Sequence, residues 1–403
     1  MGRSRQGRWQ HSLMVGFCLL ISIVSASAQT SQKQIRYIMG TACEIEIYSD
    51  HDNSAAMDAV FAELNRIDGM LSNWKPDSDL MKLNRAAAAP GEPRPWVVVS
   101  AELFQRIQVA LNVAGATQGR FDPTVGPLVR AYGFLPAIEK GNRVIEAARS
   151  RVGWKKISLD PQTSSVQFII PGMELDLGGI AKGYAAQRAA QVLRQQGITS
   201  ALVSLGGSSI TAIGTPPGQP AWSLSIRDPR DGSSPAATIA LHDGESLATS
   251  GTYEHTRGQG KARRSHIIDP RTGQAIGGST SVTVLYEDAE IADALTKPFF
   301  LEPSRSSADW AKWLASFENA SIILLQAQGS ELRRITGGAH PERFGTSPTV
   351  SNGHVAKANR RSAQHLPRDG KGGAGHPALS SEAGGAQAHR ATGYHSADIP
   401  GNS

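Results

Sequence analysis

The densest group of residues suited to chemistry lies at positions 174–184, which read Glu-Leu-Asp-Leu-Gly-Gly-Ile-Ala-Lys-Gly-Tyr. This pattern predicts a strand at 173–177, a turn at Gly178 and Gly179, and a helix with Lys182 in its first turn. Free N–H groups at a helix start favour an anion, and the lysine adds positive charge. The glycine spacing fits neither the P-loop nor the dinucleotide-binding fingerprint. Shape alone therefore predicts a tight structural turn as readily as a phosphate site.

Two further segments carry side chains suited to proton and metal chemistry. Residues 265–273 place His266 among apolar neighbours with an acid three residues on, which suits a proton shuttle. In residues 292–296, the Asp293 carboxylate and the Thr296 hydroxyl are hard oxygen ligands of the kind that Mg²⁺ prefers. Each segment also has a structural interpretation, because the first ends in a common turn sequence and an acid often begins a helix.

The elements that must position these groups follow from hydrophobic periodicity. Helical and strand-like patterns interleave from about residue 34 to residue 336, without an internal repeat. The predicted strands are 43–48, 173–177, 201–205, 208–213, 222–226, 237–241, 281–286 and 320–326, and the predicted helices are 54–71, 101–115, 180–196 and 307–317. Interleaved helices and short, hairpin-like strands are typical of an α+β fold.

Composition excludes several classes of protein. The chain has 403 residues, 40% of them hydrophobic, and a formal net charge of +6. A chain of this length and apolar content buries a core, which argues against wholly disordered, collagen-like and polytopic membrane proteins. Cys18 and Cys43 form no CxxC motif or Cys/His cluster, so we expect no zinc. The basic charges are scattered, so we expect no nucleic-acid partner.

The two ends of the chain differ from its middle. Basic residues within 3–8 precede an apolar run at 13–24, and small residues follow at 26–28. These features predict a cleaved secretory signal at 1–28 and a periplasmic protein, with an uncleaved membrane anchor as the alternative. Residues 337–403 are rich in Gly, Ala and His and poor in aromatic residues, which predicts a disordered tail.

Taken together with residues 39–41, 71–78, 119–129 and 247–253, these segments resemble the ApbE family of FAD:protein FMN transferases, also called thiamine biosynthesis lipoproteins. The resemblance covers about residues 38–300. It implies an ApbE-like, T-fold-related domain at 29–336, with mostly antiparallel sheets and packed helices. It also implies Mg²⁺-dependent transfer of FMN from FAD to a Thr or Ser hydroxyl of a membrane-bound partner flavoprotein, with release of AMP. The alternatives are an FAD pyrophosphatase and a non-catalytic periplasmic protein that binds or delivers flavin.

The resemblance also assigns roles to individual residues. The FAD site would be lined by Met39, Trp74, Arg120, Phe121, Asp122, Asp176, Lys182, Tyr253, His266 and Ile267. The metal would be held by the Gly179 carbonyl, Asp293 and Thr296. Catalysis would rest on Asp293, on Lys182 as a neutralising charge, and on His266 as the base for the attacking hydroxyl.

Four positions depart from the family pattern: Gln187 stands where an acid is common, Ser204 and Ser208 where Asn and Asp are usual, and Lys297 lies in the metal segment. The family places a Thr four residues after the metal-binding Asp, and here that residue is Lys297, with Thr296 one position earlier. A protonated lysine has no lone pair for Mg²⁺. Either fewer side chains therefore hold the metal, or Lys297 places a second cation beside the pyrophosphate. The same departure motivates the non-catalytic alternative.

Overall fold

A large antiparallel sheet organises the protein. The computed structural model describes residues 29–136, 142–254, 256–257, 264–301, 310 and 313–346. The longer strands are β1 (Thr30–Ile38), β2 (Thr41–Ser49), β6 (Ala201–Leu205), β7 (Ser209–Ile213), β10 (Ser246–Gly251), β13 (Thr280–Tyr286), β14 (Ser321–Gln328) and β15 (Glu331–Gly338). They form one eight-stranded sheet in the order β1-β2-β6-β7-β10-β13-β14-β15. Every neighbouring pair in it is antiparallel.

Smaller sheets and the helices surround this sheet. The remaining strands are β3 (Val97–Val98), β4 (Ile157–Asp160), β5 (Ser165–Phe168), β8 (Trp222–Arg227), β9 (Pro235–Leu241), β11 (Thr256–Arg257), β12 (Arg264–Ser265) and β16 (Gly345–Thr346). They pair as β3-β5-β4, β16-β9-β8 and β11-β12. The helices are α1 (Ser54–Leu71), α2 (Asp79–Ala88), α3 (Ala101–Ala116), α4 (Gly126–Ala131), α5 (Asn142–Arg149), α6 (Ala181–Gln195), α7 (Ala289–Leu295) and α8 (Pro298–Leu301), with 3-10 turns at Trp154–Lys156 and Pro341–Arg343.

The two faces of the large sheet bury different cores. Successive side chains of a strand point to opposite faces. In β6, Val203 belongs to the main core together with Leu193 of α6, whereas its neighbour Leu202 belongs to a second core. That second core contains Leu224 of β8 and Phe344. Helices therefore cover one face of the sheet, and the β16-β9-β8 sheet covers the other.

Helices α6 and α7 cross at a glycine, Gly183. A Cβ atom at Gly183 would overlap the backbone carbonyl of Ala289 and would lie 2.9 Å from the Cβ of Asp293. Only glycine therefore allows the two helices to approach this closely. The approach brings the start of α6 against the side chain of Asp293.

Most of the predicted elements are confirmed. Strand β2 covers the predicted strand at 43–48, and α6 begins at Ala181 and ends at Gln195. Gly197, with a φ of 79°, follows that helix and ends it. The α+β class with mostly antiparallel sheets is confirmed as well. Of the helix predicted at 307–317, positions 307–309 and 311–312 lie outside the described residues, and Trp310, Trp313 and Leu314 are helical.

The strand predicted at 173–177 is wrong. Its alternating apolar residues are buried, but its backbone pairs with no neighbouring strand: side chains hold Leu175, and the Asp176 N–H donates to Pro123 O in a turn at 2.7 Å. The Asn84 amide accepts from Leu175 N–H at 2.8 Å and donates to Leu175 O at 2.9 Å, and Asn73 donates to the same oxygen. Because two asparagines satisfy the polar groups of Leu175 and a turn carbonyl accepts from Asp176, the segment stays extended without a strand partner.

The folded part of the chain extends beyond the boundary predicted at residue 337. Strand β15 ends at Gly338, and Gly345 and Thr346 pair with Thr238 and Ala237 of β9. The buried Phe344, 2% exposed, anchors this return. The predicted signal peptide at 1–28 and positions 347–403 of the predicted tail lie outside the described residues. Within the described part of the chain, no helix is both long enough and apolar enough to cross a bilayer.

Candidate active site

Carboxylates of the chain itself close the turn that leads into α6. The N–H of Gly178 donates to Asp176 Oδ1 at 2.8 Å, and the N–H of Gly183 donates to Asp293 Oδ2 at 3.1 Å. Because Ile180 at the N-cap offers no side-chain acceptor, Asp293 supplies the negative charge that a helix start favours. Burial raises the pKa of Asp176, against the opposing effect of the Gly178 N–H. Some amides expected to face an anion are therefore used inside the protein.

The segment that contains Phe121 packs directly against this turn. Phe121 is 5% exposed, and a Cβ at Gly179 would lie only 2.9 Å from its ring atom Cε2. The neighbouring Asp122 carboxylate accepts hydrogen bonds from the N–H and hydroxyl of Thr124 and from the N–H of Trp154. Burial raises the pKa of Asp122. Phe121 thus forms a wall of the turn, and Asp122 holds the loop that carries it.

Three oxygen atoms at the end of α7 converge on one ammonium group. The Nζ atom of Lys297 lies 2.6 Å from Asp293 Oδ1, 2.8 Å from Asp293 O and 3.0 Å from Gly179 O. The side chains of Asp293 and Lys297 are 4% and 19% exposed, so their ion pair is largely shielded from water. Burial lowers the pKa of Lys297, and the charge of Asp293 opposes that shift. Lys297 therefore donates to oxygens of both Gly179 and Asp293.

Thr296 uses its hydroxyl to join α7 to β10. It is 0% exposed and donates to Asp293 O at 2.7 Å. The hydroxyl oxygen of Thr296 also lies 2.8 Å from the hydroxyl oxygen of Ser250. Because a hydroxyl has one proton to donate, Ser250 is the donor of that second bond. Both hydrogen bonds of the Thr296 hydroxyl in the described structure thus serve the packing of α7.

Lys182 is the second lysine of this region. Its side chain is half-buried in the first turn of α6. Besides burial, the positive charge of Lys182 contributes to the lowered pKa of Lys297, so the two ammonium groups are near each other. Among the described residues, the ammonium of Lys182 makes no hydrogen bond or ion pair. The fold therefore leaves a positive charge available beside the turn.

The loop after β10 brings an aromatic ring and an acid toward the same region. The Tyr253 ring packs against the backbone of Gly251, where a Cβ would overlap it. The Arg227 guanidinium lies 5.6 Å from the centre of this ring, an attractive arrangement. Burial raises the pKa of the Tyr253 phenol to about 12. The charge of Glu254 favours the ammonium form of Lys297, so this loop borders the lysine.

The segment after β12 holds His266 beside a turn. Its half-buried ring meets Phe134 edge-on, with ring centres 6.4 Å apart and planes at 73°. Ile267 is 4% exposed and belongs to the main core, so its side chain anchors the segment. Asp269 accepts from the N–H and the guanidinium of Arg271, which closes the turn. The fold thus fixes the backbone on both sides of His266.

Three other residues assigned by the resemblance have local roles of their own. The Arg120 guanidinium lies over the Trp313 ring, 4.3 Å from its centre. Met39, with a φ of 55°, occupies the two-residue turn between β1 and β2 and packs against the main core. Trp74 is 64% exposed. An exposed indole offers a flat apolar surface that a flat ligand can cover.

The structure brings one compact group of the predicted residues together. This group consists of Phe121, Asp176, Gly179, Lys182, Asp293 and Thr296, with Lys297 at its centre. The contacts recorded among the described residues do not join Met39, Trp74 or His266 to it. No set of three or more His, Cys, Asp or Glu side chains within the described chain is grouped as metal ligands would be.

Sequence reasoning missed four residues that build this region, namely Asn73, Asn84, Gly183 and Ser250. Two of them carried a usable signal. Asn84 is buried at 4% exposure within an apolar helical pattern, and a polar residue there signals a hydrogen bond to another segment. A glycine inside the predicted helix at 180–196 signals a close approach by another element. Which element approaches cannot be inferred from spacing.

Comparison with known proteins identifies the family. The family model described as "ApbE family" matches residues 39–320. A protein of Klebsiella pneumoniae named FAD:protein FMN transferase is 34% identical over 296 residues, covering 70% of this chain and 83% of its own length. A protein of Treponema pallidum with the same name is 32% identical over 317 residues, covering 73% of this chain and 85% of its own.

Solved structures agree with the sequence comparison. The crystal structure of the ApbE protein of Thermotoga maritima superposes with a TM-score of 0.66 at 31% identity, covering 76% of this chain and 97% of that one. The flavin transferase ApbE of Vibrio cholerae superposes with a TM-score of 0.65 at 25% identity, covering 76% and 98%. The chain therefore belongs to the ApbE family.

Proposed function

We propose that this chain is an FAD:protein FMN transferase. In the reaction, the oxygen of a Thr or Ser hydroxyl on an acceptor protein forms a bond to the phosphorus of the FMN half of FAD. The bond from that phosphorus to the bridging oxygen breaks, and AMP leaves with the bridging oxygen. The observation that carries the proposal is 34% identity to a relative of that name over most of both chains. The compact group around Gly179 and Asp293 lies within the matched residues.

The roles proposed for individual residues follow from charge and exposure. Lys182 carries a positive charge that no described residue neutralises, so it suits the phosphoryl oxygens, which gain negative charge as the bond breaks. His266 accepts the proton of the attacking hydroxyl. Trp74, exposed at 64%, offers a flat surface for the isoalloxazine ring.

The residues present do not fit the Mg²⁺ ion that the family resemblance implies. The Gly179 carbonyl and the Asp293 carboxylate were expected to bind it, and both accept hydrogen bonds from Lys297 instead. Mg²⁺ binds oxygens at about 2.0–2.1 Å in near-octahedral geometry, which requires the space that this ammonium fills. The Thr296 hydroxyl is engaged with Asp293 O and Ser250. We therefore derive no step through a metal.

We also propose an acceptor and a compartment. The secretory pattern within residues 1–28 supports export, so we place the protein in the periplasm. An exported enzyme that modifies a hydroxyl requires an acceptor exposed in the same compartment. A membrane-bound flavoprotein with a periplasmic Thr or Ser satisfies that requirement.

Flavin fluorescence of the acceptor tests the proposed function. The full chain is incubated with FAD and a candidate acceptor, and the proteins are separated in a denaturing gel. We expect a fluorescent acceptor band that disappears when the acceptor Thr is changed to Ala. Free FMN and AMP formed at the same rate without acceptor would identify a pyrophosphatase. Bound FAD that stays intact across all acceptors would identify a flavin-binding protein and contradict the proposal.

A further inference from the structure

The surroundings of Lys297 have the composition of a cation site. Its Nζ atom lies within 3.0 Å of one carboxylate oxygen and two backbone carbonyl oxygens, which come from Asp293 and Gly179. Anionic and carbonyl oxygens are the ligands that hard cations prefer. The two residues lie on separate elements, α7 and the turn before α6, so the fold has assembled these oxygens from a distance. They converge on an ammonium group.

The ammonium is held there by its covalent tether and by burial. Lys297 follows Asp293 by four residues, just past the end of α7, so its side chain reaches back one turn to the carboxylate. Charge-assisted hydrogen bonds of this kind are about twice as strong as neutral ones. A divalent ion would have to displace the ammonium from all three oxygens, and two cations would then share one carboxylate. Such close like charges repel each other strongly in a poorly solvated site.

The second carboxylate oxygen is also engaged. Asp293 Oδ2 accepts the N–H of Gly183 at 3.1 Å, which fixes the carboxylate against the start of α6. The carboxylate therefore cannot turn away from Lys297 without leaving that amide unpaired in a buried place. The geometry makes the Asp293–Lys297 pair a fixed part of the fold rather than a surface ion pair.

We infer that the Lys297 ammonium is the built-in cation of this site and replaces a divalent metal ion. The catalytic part of this inference rests on the proposed function. It states that the flavin chemistry of this chain proceeds without added Mg²⁺. The paired Asp293 and Lys297 are together neutral, whereas Asp293 with Mg²⁺ would carry one positive charge. Lys182, whose charge is uncompensated among the described residues, then supplies the net positive charge at the phosphates.

Binding of Mn²⁺, followed by electron paramagnetic resonance of the free ion, tests the inference without any activity assay. We expect that the full-length wild-type chain leaves the Mn²⁺ signal unchanged. Lys297→Thr frees the oxygens and offers a hydroxyl, so we expect that variant to bind one Mn²⁺ per chain. The matched control is Lys156→Thr, because Lys156 also donates to two backbone carbonyls, those of Ser150 and Val152, but forms no ion pair with a carboxylate of the described residues. The control variant should bind none.

Two results would overturn the inference. One is a wild-type chain that binds one Mn²⁺ and loses it in Asp293→Asn. The other is a folded Lys297→Thr variant that binds no Mn²⁺, which would mean that these oxygens do not form a cation site. If Lys297→Thr does not fold, the wild-type titration still decides, because it needs no variant.

Chelation separates this inference from the proposed function. If both hold, excess EDTA leaves the labelling of the acceptor by the wild-type chain unchanged, and the Lys297→Thr variant requires added Mg²⁺. A wild-type chain that labels the acceptor only with Mg²⁺ present would overturn the inference and leave the transferase proposal standing. A chain that labels no acceptor under any condition would overturn the transferase proposal, while the Mn²⁺ titration would still decide the identity of the cation.

Discussion

Two lysines near the start of α6 show how the same side chain takes opposite roles. Lys297 is half-buried, its side chain 19% exposed, and three oxygens of Gly179 and Asp293 surround its ammonium. Lys182 is half-buried, and no described residue pairs with its ammonium. The difference lies in the partners that the fold supplies, not in residue type. A lysine whose acceptors are all internal stabilises the protein, whereas a lysine without internal acceptors is available to a ligand.

The largest expected effect is the loss of folding stability when Lys297 loses its carboxylate partner. Asp293→Ala leaves the Lys297 ammonium buried with only carbonyl partners, and breaking a buried ion pair costs about 3–5 kcal/mol. Urea unfolding followed by circular dichroism measures the loss. Asp58→Ala is the control, because Asp58 pairs with Arg36 on the surface and should cost less than about 1 kcal/mol. Equal losses in the two variants would remove the distinction between buried and surface pairs.

Replacing the unpaired lysine, Lys182, should slow the reaction and leave folding stability nearly unchanged. Removing one preorganised charge-stabilising donor costs about 100-fold in turnover, so Lys182→Gln should lose that much acceptor labelling. Its free energy of unfolding should change by less than about 0.5 kcal/mol, as for other replacements that break no internal contact. Lys182→Arg keeps the charge and should recover part of the rate. A large loss of stability in Lys182→Gln would show that this lysine has an internal role.

A smaller effect concerns the helix crossing that positions Asp293 against Lys297. Gly183→Ala places a Cβ against the carbonyl of Ala289, and overpacking of this kind costs about 1–3 kcal/mol. Gly69→Ala is the matched control, because Gly69 lies inside α1 with no atom within 4 Å of the added Cβ. That control should stabilise α1 by up to about 1 kcal/mol. A neutral Gly183→Ala would show that α6 and α7 can separate without cost.

The smallest expected effect is on the labelling rate of a cysteine outside the site. This rate responds to unfolding, so it distinguishes the variants that affect the two lysines. Cys43 is 0% exposed, and burial raises its thiol pKa from 9.0 to about 12. The folded state keeps the proton, so this contribution to stability is complete below pH 9.0 and is lost as the pH rises toward about 12. In a Cys18→Ser background, a thiol reagent should label Cys43 only through unfolding. Asp293→Ala should accelerate that labelling and Lys182→Gln should not; labelling of the native chain at neutral pH would contradict the burial.

The sequence predicts the elements better than it predicts their contacts. Periodicity predicts β2 and α6 because each buries one face, and local spacing reports that burial directly. It fails at 173–177, where the alternation is real but Leu175 pairs with the side chains of Asn73 and Asn84 and not with a strand. A pattern records which residues are buried and does not record what satisfies their polar groups.

In the candidate site too, the sequence predicts which residues belong together but not how they contact each other. Motif resemblance predicts that Gly179 and Asp293 belong together, and the structure joins them through one ammonium group. The departure at Lys297 is visible in the sequence, yet its consequence depends on where Nζ lies. Only tertiary structure distinguishes a lysine beside the pyrophosphate from a lysine among the oxygens expected to bind the metal. The return of the chain at Phe344 to the second core likewise depends on a distant contact with β9.

The most direct test of the account is crystallographic. Wild-type crystals grown with FAD and Mn²⁺ are measured at the manganese absorption edge, where a bound ion gives an anomalous peak. We expect no such peak among Gly179 O, Asp293 O and Asp293 Oδ1, and we expect lysine density reaching all three oxygens. A manganese ion bound to the Asp293 carboxylate, seen as an anomalous peak with the Lys297 side chain turned away, would contradict the proposal that Lys297 replaces the metal.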